Sequence, residues 1–298
     1  MTDTDDLYGA RSTRPTKAQY EARRAALYDI VEEQQPMNVR HAFYLATVAG
    51  LVLKTDSGSG NGYSRIQWDL TVMRKSGLVP YDWIEDGTRE MVAPLTYPNI
   101  ATALQETAEQ YSKSLWEDAD ERVQIWIEKD GLTNVIYPVT GERDVPVFPA
   151  RGYSSLTFLH DAAEDIIALG GVPVHIYHFG DFDPSGVNAA ECIEDDLREM
   201  TEGADIRFER VAATEEQIRR WSLPTRPTKQ TDTRARRFGS DRSVELDAIP
   251  PDTLRGLVRQ VIERHMPRRR LLALKREEGR ERNQIERMVR SLDDEGER

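Results

Sequence analysis

The chain has 298 residues, 39% of them apolar and 31% charged, and a formal net charge of −12. That is enough chain for about two ordinary domains, and the composition excludes disordered, collagen-like and membrane-embedded classes. The longest apolar stretches, Leu45–Leu53 and Ile166–Ile176, are interrupted by Thr, Gly, Pro or His and fall short of the ~20 residues a spanning helix needs. A lone cysteine, Cys192, excludes an internal disulfide or a Cys-based zinc site. With the acidic MTDTDD start, it leads us to expect a cytoplasmic protein with no membrane contact.

In chain order, residues 1–16 are polar and read as a flexible arm. Helical periodicity runs from Lys17 to about Gln34 and ends at Pro36. Asn38 can cap a second helix over Val39–Val52, and a third is expected over Tyr63–Lys75. Between them, Ser57–Gly62 holds three glycines and reads as a turn. Leu78–Ile84 is short and β-like. Three short helices followed by an extended segment form the pattern of a winged-helix module. A fourth helix over Ile100–Trp116 leads to an acidic boundary at Glu117–Glu121.

Beyond that boundary the pattern changes. Strands are expected at Val123–Glu128, Asp144–Phe148, Pro173–Phe179 and Ile206–Val211, with helices at Ser154–Leu169 and Gly186–Met200. This alternation predicts an α/β domain with a mainly parallel, Rossmann-like sheet. Leu223–Phe238 reads as a long loop, Pro251 to about His265 as a helix, and Leu274–Leu292 as an exposed charged helix. The charge is also uneven. Residues 219–298 hold 21 basic and 14 acidic side chains, a balance of +7, against 19 and 38, or −19, before them. The C-terminal excess is nearly all arginine, which suits phosphate contact and permits a nucleic-acid partner.

The strongest chemical signal is Phe179-Gly-Asp-Phe-Asp-Pro-Ser-Gly186, where a strand meets a helix. Asp181 and Asp183, two apart, face the same way if the chain stays extended. Carboxyl ends of parallel strands are where ligands bind, and paired carboxylates there attract a hard divalent cation. Glu128 ends a second strand and would join them, giving an acidic trio for Mg²⁺, with Mn²⁺ as a substitute. Asp130, in an Asp-Gly pair, reads as a turn residue, and Ser185 as a cap. His175 and His178 fall on opposite strand faces and read as structural; His41 and His160 lack paired spacing. Arg65, Arg74, Lys75, Arg226, Lys229, Arg234, Arg236 and Arg237 are candidate phosphate contacts.

A glutamate ending one strand and Asp181-Phe-Asp183 ending a later one resemble the Toprim domain of topoisomerases, primases and some nucleases. The phrase HFGDFDPSG and the segment Val244-Glu-Leu-Asp-Ala-Ile249 resemble more specifically the type IIB DNA topoisomerase A subunit and its meiotic double-strand-break relative. That family places a winged helix before Toprim, and its nucleophilic tyrosine follows an arginine by four positions. Arg40-His-Ala-Phe-Tyr44 has that spacing. The resemblance covers roughly residues 20–265 and implies a winged-helix DNA-binding domain at 17–116 and a Toprim-type domain at 117–298. It implies double-stranded DNA as partner, Tyr44 as nucleophile with Arg40 beside it, Glu128, Asp181 and Asp183 as metal ligands, a homodimer and an ATPase partner subunit. Phe43 stands where the family often has another tyrosine, and the chain is shorter than usual A subunits. The rival expectations are a Toprim nuclease using metal-activated water and a DNA-binding module without catalysis.

Overall fold

The computed structural model describes residues 17–53, 62–84, 94–229 and 233–296. The expected arm at 1–16 and the Ser57–Gly62 turn, except Gly62, lie outside these residues. Helices α1 (Lys17–Gln34), α2 (Val39–Val48) and α3 (Gly62–Lys75) occupy the expected places. Asn38 caps α2 as its spacing predicts: the side-chain oxygen accepts from the His41 amide at 2.8 Å. The helix stops short of Val52 because Gly50 turns left-handed at φ +71°, a conformation that costs other residues more. Leu27, Val31, Phe43, Ile66, Leu70 and Met73 form the core of this trio. Within it lies a fully buried acid, Asp69, held by Arg23 at 2.6 Å and Arg24 at 2.9 Å.

The strand expected at Leu78–Ile84 does not form. Pro80, which has no amide proton to give a ladder, leads into a 3₁₀ turn at Tyr81–Trp83, and Ile84 makes one isolated parallel bridge with Met37. Helix α4 (Ile100–Gln110) ends before the expected Trp116. It does not join the helical trio's core but packs along the C-terminal helix.

The second half is built on β1 (Arg122–Ile127), α5 (Thr133–Thr140), β2 (Val147–Pro149), α6 (Leu156–Ala168), β3 (Val174–Phe179), α7 (Pro184–Met200) and β4 (Ile206–Ala212). The four strands are all parallel, in the order β2-β1-β3-β4. The fold is therefore α/β, as the alternating pattern predicted. Strand parity divides the core. Val123, Ile125, Ile127, Tyr177 and Phe179 face one buried cluster, while Trp126, Val174 and Ile176 face another beneath α6 and α7. Helix α5, which sequence periodicity missed, has Pro138 inside it and rests on the helix Pro251–Glu263.

After β4 come α8 (Glu215–Arg220), β5 (Arg226–Pro227), α9 (Ala235–Phe238), β6 (Arg242–Ser243), α10 (Pro251–Glu263) and α11 (Arg268–Gly296). The segment expected as one long loop thus contains a small antiparallel pair, β5 with β6, and a helical turn. Helix α11 is not wholly solvated: Leu271, Glu278 and Val289 are buried. Glu278 accepts from Ser112 and the Lys113 amide, which fixes the segment after α4 against α11. One buried cluster runs across the expected boundary at residue 116, from Leu27 to Leu271. Polar ties cross it too: Asn38 donates to the Gly131 carbonyl, and Arg255 donates to those of Gln34, Pro36 and Val135.

Candidate functional site

The carboxyl edge of the sheet carries the acids that the sequence singled out, but among the described residues Glu128, Asp181 and Asp183 are not a trio whose ligand oxygens all lie within 4.8 Å of one another. The Glu128 amide donates to Phe179 O at 2.8 Å, so this residue continues the β1–β3 ladder one step past the last strand residue. Its Oε2 accepts from the Asp181 amide at 2.7 Å, which joins the tips of two adjacent strands. Glycine is required here. A Cβ on Gly180 would lie 2.8 Å from Glu128 Oε2, and one on Gly186 would lie 2.6 Å from Asp181 O. Burial, and then the Asp181 carboxylate beside it, push the Glu128 carboxyl up to about 7.

Asp181 and Asp183 are not simple same-side neighbours. Between them Phe182 forms an antiparallel bridge to Val244. Asp181 Oδ1 accepts from the buried Leu246 amide at 2.7 Å and lies 3.1 Å from Lys129 Nζ. Asp183 caps α7, accepting from the Gly186 amide, and pairs with Arg226 at 3.2 Å. The cap expected of Ser185 is therefore made by Asp183, because the helix starts two residues earlier, at Pro184. Asp130 behaves as the turn residue expected, closing on Arg151 at 2.6 Å.

Sequence reasoning missed Lys129, Glu245 and Asp247. The Lys129 ammonium lies 2.5 Å from Asp247, 3.2 Å from Glu245 and 3.1 Å from Asp181. Burial opposes that charge, but the acids, Asp247 first, raise its pKa above the ordinary lysine value. Glu245 reaches Lys129 through one oxygen and Arg226 through the other. Although burial works against ionisation, Lys129, the Tyr44 hydroxyl and the arginines hold Glu245 at about 2. The signal was present in the Val244–Ile249 segment, which contains both acids, but spacing could not say where they fold.

Tyr44 and Arg40 come to the same place. The Tyr44 hydroxyl hydrogen-bonds Glu245, and Arg40 lies 3.8 Å from Glu245 Oε2. Tyr44 is only 3% exposed, with the Phe43 ring packed beside it and Tyr63 packed in turn against Phe43. Burial and the Glu245 carboxylate raise the phenol pKa above its ordinary value. A polar chain of Tyr44, Glu245, Lys129 and Asp181 therefore links α2 to the acidic edge. His41 is fully buried nearby, and burial lowers its pKa to about 4.

The candidate phosphate contacts divide. Arg65, Lys75, Lys229 and Arg236 are exposed. Arg74 instead lies over the Tyr81 ring and donates to its carbonyl, so the 3₁₀ turn occupies it. Arg226 belongs to the acidic cluster, and Arg237 pairs with Glu191 at 3.3 Å. A cavity of about 510 Å³ opens beside the N-terminus of α7, lined by Phe182, Asn188, Glu191, Arg210, Arg237 and Phe238 among others. Arg210 donates to the carbonyls of Gly180, Asp181 and Ala213, fixing the loop that carries Asp181.

The donor set at the edge is all oxygen, which suits a hard cation of the Mg²⁺ class. Burial first, and the Asp181 carboxylate second, raise the Glu128 carboxyl, and a cation beside it would favour the ionised form. No protein-family model matches the chain, and no curated protein matches it either.

Proposed function

We propose that this chain binds duplex DNA and breaks its backbone at the carboxyl edge of the sheet, with Tyr44 as nucleophile. The observation that carries the reading is the shared network: the Tyr44 hydroxyl and the Asp181 carboxylate are joined through Glu245 and Lys129. Mg²⁺ or Mn²⁺ would be held by Glu128, Asp181 and Asp183, and would supply charge neutralisation for the phosphate. The winged-helix and Toprim likeness of the two halves supports the same reading.

The residues of the chain have distinct tasks. Arg40, half-exposed at the rim and one helical turn before Tyr44, receives the phosphate. The Tyr44 oxygen attacks phosphorus and forms a phosphotyrosine ester as the bond to the leaving sugar oxygen breaks, and the phenol proton, handed on through the Glu245 hydrogen bond, ends on that leaving oxygen. Lys129 sits where it can compensate Asp181 and Glu245 before substrate arrives. Arg210 and the Gly180–Gly186 turn keep Asp181 in place.

A second reading, hydrolysis by water at the same edge, is favoured by the burial of Tyr44 and its raised pKa. A denaturing gel of end-labelled DNA with Mg²⁺ or Mn²⁺ separates the two. Tyr44→Phe abolishes both breakage and the covalent protein–DNA adduct if the phenol attacks; breakage that survives this change establishes hydrolysis. Asp181→Asn removes breakage under both readings, and DNA binding with no breakage in wild type leaves only a binding module. The resemblance implies a homodimer in which each tyrosine serves the partner's acidic edge, whereas the network described above joins Tyr44 to the edge of its own chain. Mixing inactive Tyr44→Phe and Asp181→Asn proteins restores cleavage only in that arrangement.

A further inference from the structure

We propose that Glu121, His175 and His265 form a second metal site, for a zinc-class divalent cation, at the amino end of the sheet. Among the described residues, this is the trio whose ligand atoms all lie within 4.8 Å of one another. The three come from distant parts of the chain. Glu121 closes the acidic stretch that enters β1, His175 is the second residue of β3, and His265 follows α10. Parallel register sets His175 opposite Val123, two residues after Glu121. Sequence spacing gave His175 only a structural role, because its partners lie 54 and 90 positions away.

The local geometry is that of a converging donor set. His265 Nδ1 lies 2.7 Å from Glu121 Oε1, and His175 Nε2 lies 2.9 Å from Glu121 Oε2. The two imidazole rings are 4.1 Å apart, centre to centre. His175 Nε2 is buried and, although 2.9 Å from the carboxylate, lies off the line of a well-aligned hydrogen bond to it. A buried nitrogen close to a carboxylate but out of line with it fits two ligands aimed at a shared point. Tyr177 adds an outer contact: its hydroxyl lies 2.7 Å from His265 Nε2, which orients the ring and leaves Nδ1 turned to the site.

Donor chemistry selects the ion. Two imidazoles and one carboxylate are borderline ligands, which favour Zn²⁺ and its neighbours over Mg²⁺, and three protein ligands leave a position for water. Zinc–ligand bonds of about 2.0–2.1 Å put tetrahedral ligands roughly 3.3 Å apart, so the present contacts must open by about half an ångström. Glu121, with about a third of its side chain exposed, is the flexible member and gives the ion its entry. Arg207 and Arg264 are the nearby cations, and Asp205 and Glu209 pair with them at 3.0 and 2.8 Å. The acids Glu117, Asp118 and Asp120 precede the site in sequence. Bound metal would tie the entry to β1, the start of β3 and the α10–α11 turn together.

The test uses the full chain, stripped with chelator and titrated with zinc against a chromophoric competitor. We expect one tightly held ion per chain, a rise in melting temperature, and visible cobalt bands of a tetrahedral site when Co²⁺ replaces zinc. His175→Gln and His265→Gln each weaken zinc by on the order of 100-fold, while Asp181→Asn with Asp183→Asn changes it by less than about twofold. Where a histidine variant fails to fold by circular dichroism, Glu121→Gln supplies the comparison. Equal zinc affinity in wild type and the trio variants overturns the proposal, as does zinc that is lost with Asp181 and Asp183 instead.

Discussion

The two ends of β1 and β3 make opposite use of the same pair of strands. At the carboxyl end, Glu128, Asp181 and Asp183 are oxygen donors only, and Lys129 is buried among their neighbours. At the amino end, Glu121 meets two imidazoles, with no lysine among the group. Each end is completed by the C-terminal third of the chain, the first by Glu245 and Asp247 and the second by His265. A parallel sheet thus brings all its strand tips to one edge and all its strand starts to the other. Which donors meet at each edge follows from which residues begin and end the strands, and from what the later helices deliver.

The carboxyl end should be the more strained of the two when empty. Lys129→Met leaves Asp181, Glu245 and Asp247 without their shared cation, and should cost about 3–5 kcal/mol in urea denaturation with chelator present. Millimolar Mg²⁺ should restore part of that loss; no restoration would break the contrast between a cation-seeking edge and an ordinary ion-pair network. Gly186→Ala is next, at about 1–3 kcal/mol, because its Cβ would crowd Asp181 O and Glu128 Oε2. Zinc affinity at the opposite end should not move with it.

A pH effect carries a sign. Folded Glu128 keeps its proton up to about 7, against an ordinary 4.5. Between those values the folded state binds more protons than the unfolded one, so this group lowers stability as pH rises from 4.5 to 7. In metal-free buffer, Glu128→Gln should therefore melt higher than wild type at pH 8 and at nearly the same temperature at pH 4. A variant that melts lower at pH 8 would mean that the carboxylate is compensated without metal.

Much of the fold was legible in residue patterns. Strands β1, β3 and β4 and α6, α7 and α10 announced themselves through apolar periodicity, and α2 through the Asn38 cap, because those signals are local; the strand expected at Asp144–Phe148 forms only at Val147–Pro149, after Asp144 turns left-handed. Helix α5 was hidden by Pro138, and β5 with β6 by their two-residue length. The expected strand at Leu78–Ile84 failed because β preference depends on a neighbour to pair with, and among the described residues only Met37 meets it, at one bridge. Of the acidic edge, Glu128, Asp181 and Asp183 were visible as strand ends. Their different tasks were not: the cap made by Asp183 and the ammonium over Asp181 depend on α7 starting at Pro184 and on where Val244–Ile249 returns.

The amino-acid order by itself determined the α/β character of the second half and the placing of acids at strand tips, since both follow from period-two burial and turn chemistry. Only the tertiary structure decided that Tyr44 rests on Glu245, that Lys129 is shared by three acids, and that Glu121, His175 and His265 converge. Those contacts join residues as many as 201 positions apart, as between Tyr44 and Glu245. Local propensity acts over a few residues, whereas the long-range pairings are set by how whole elements bury their apolar faces.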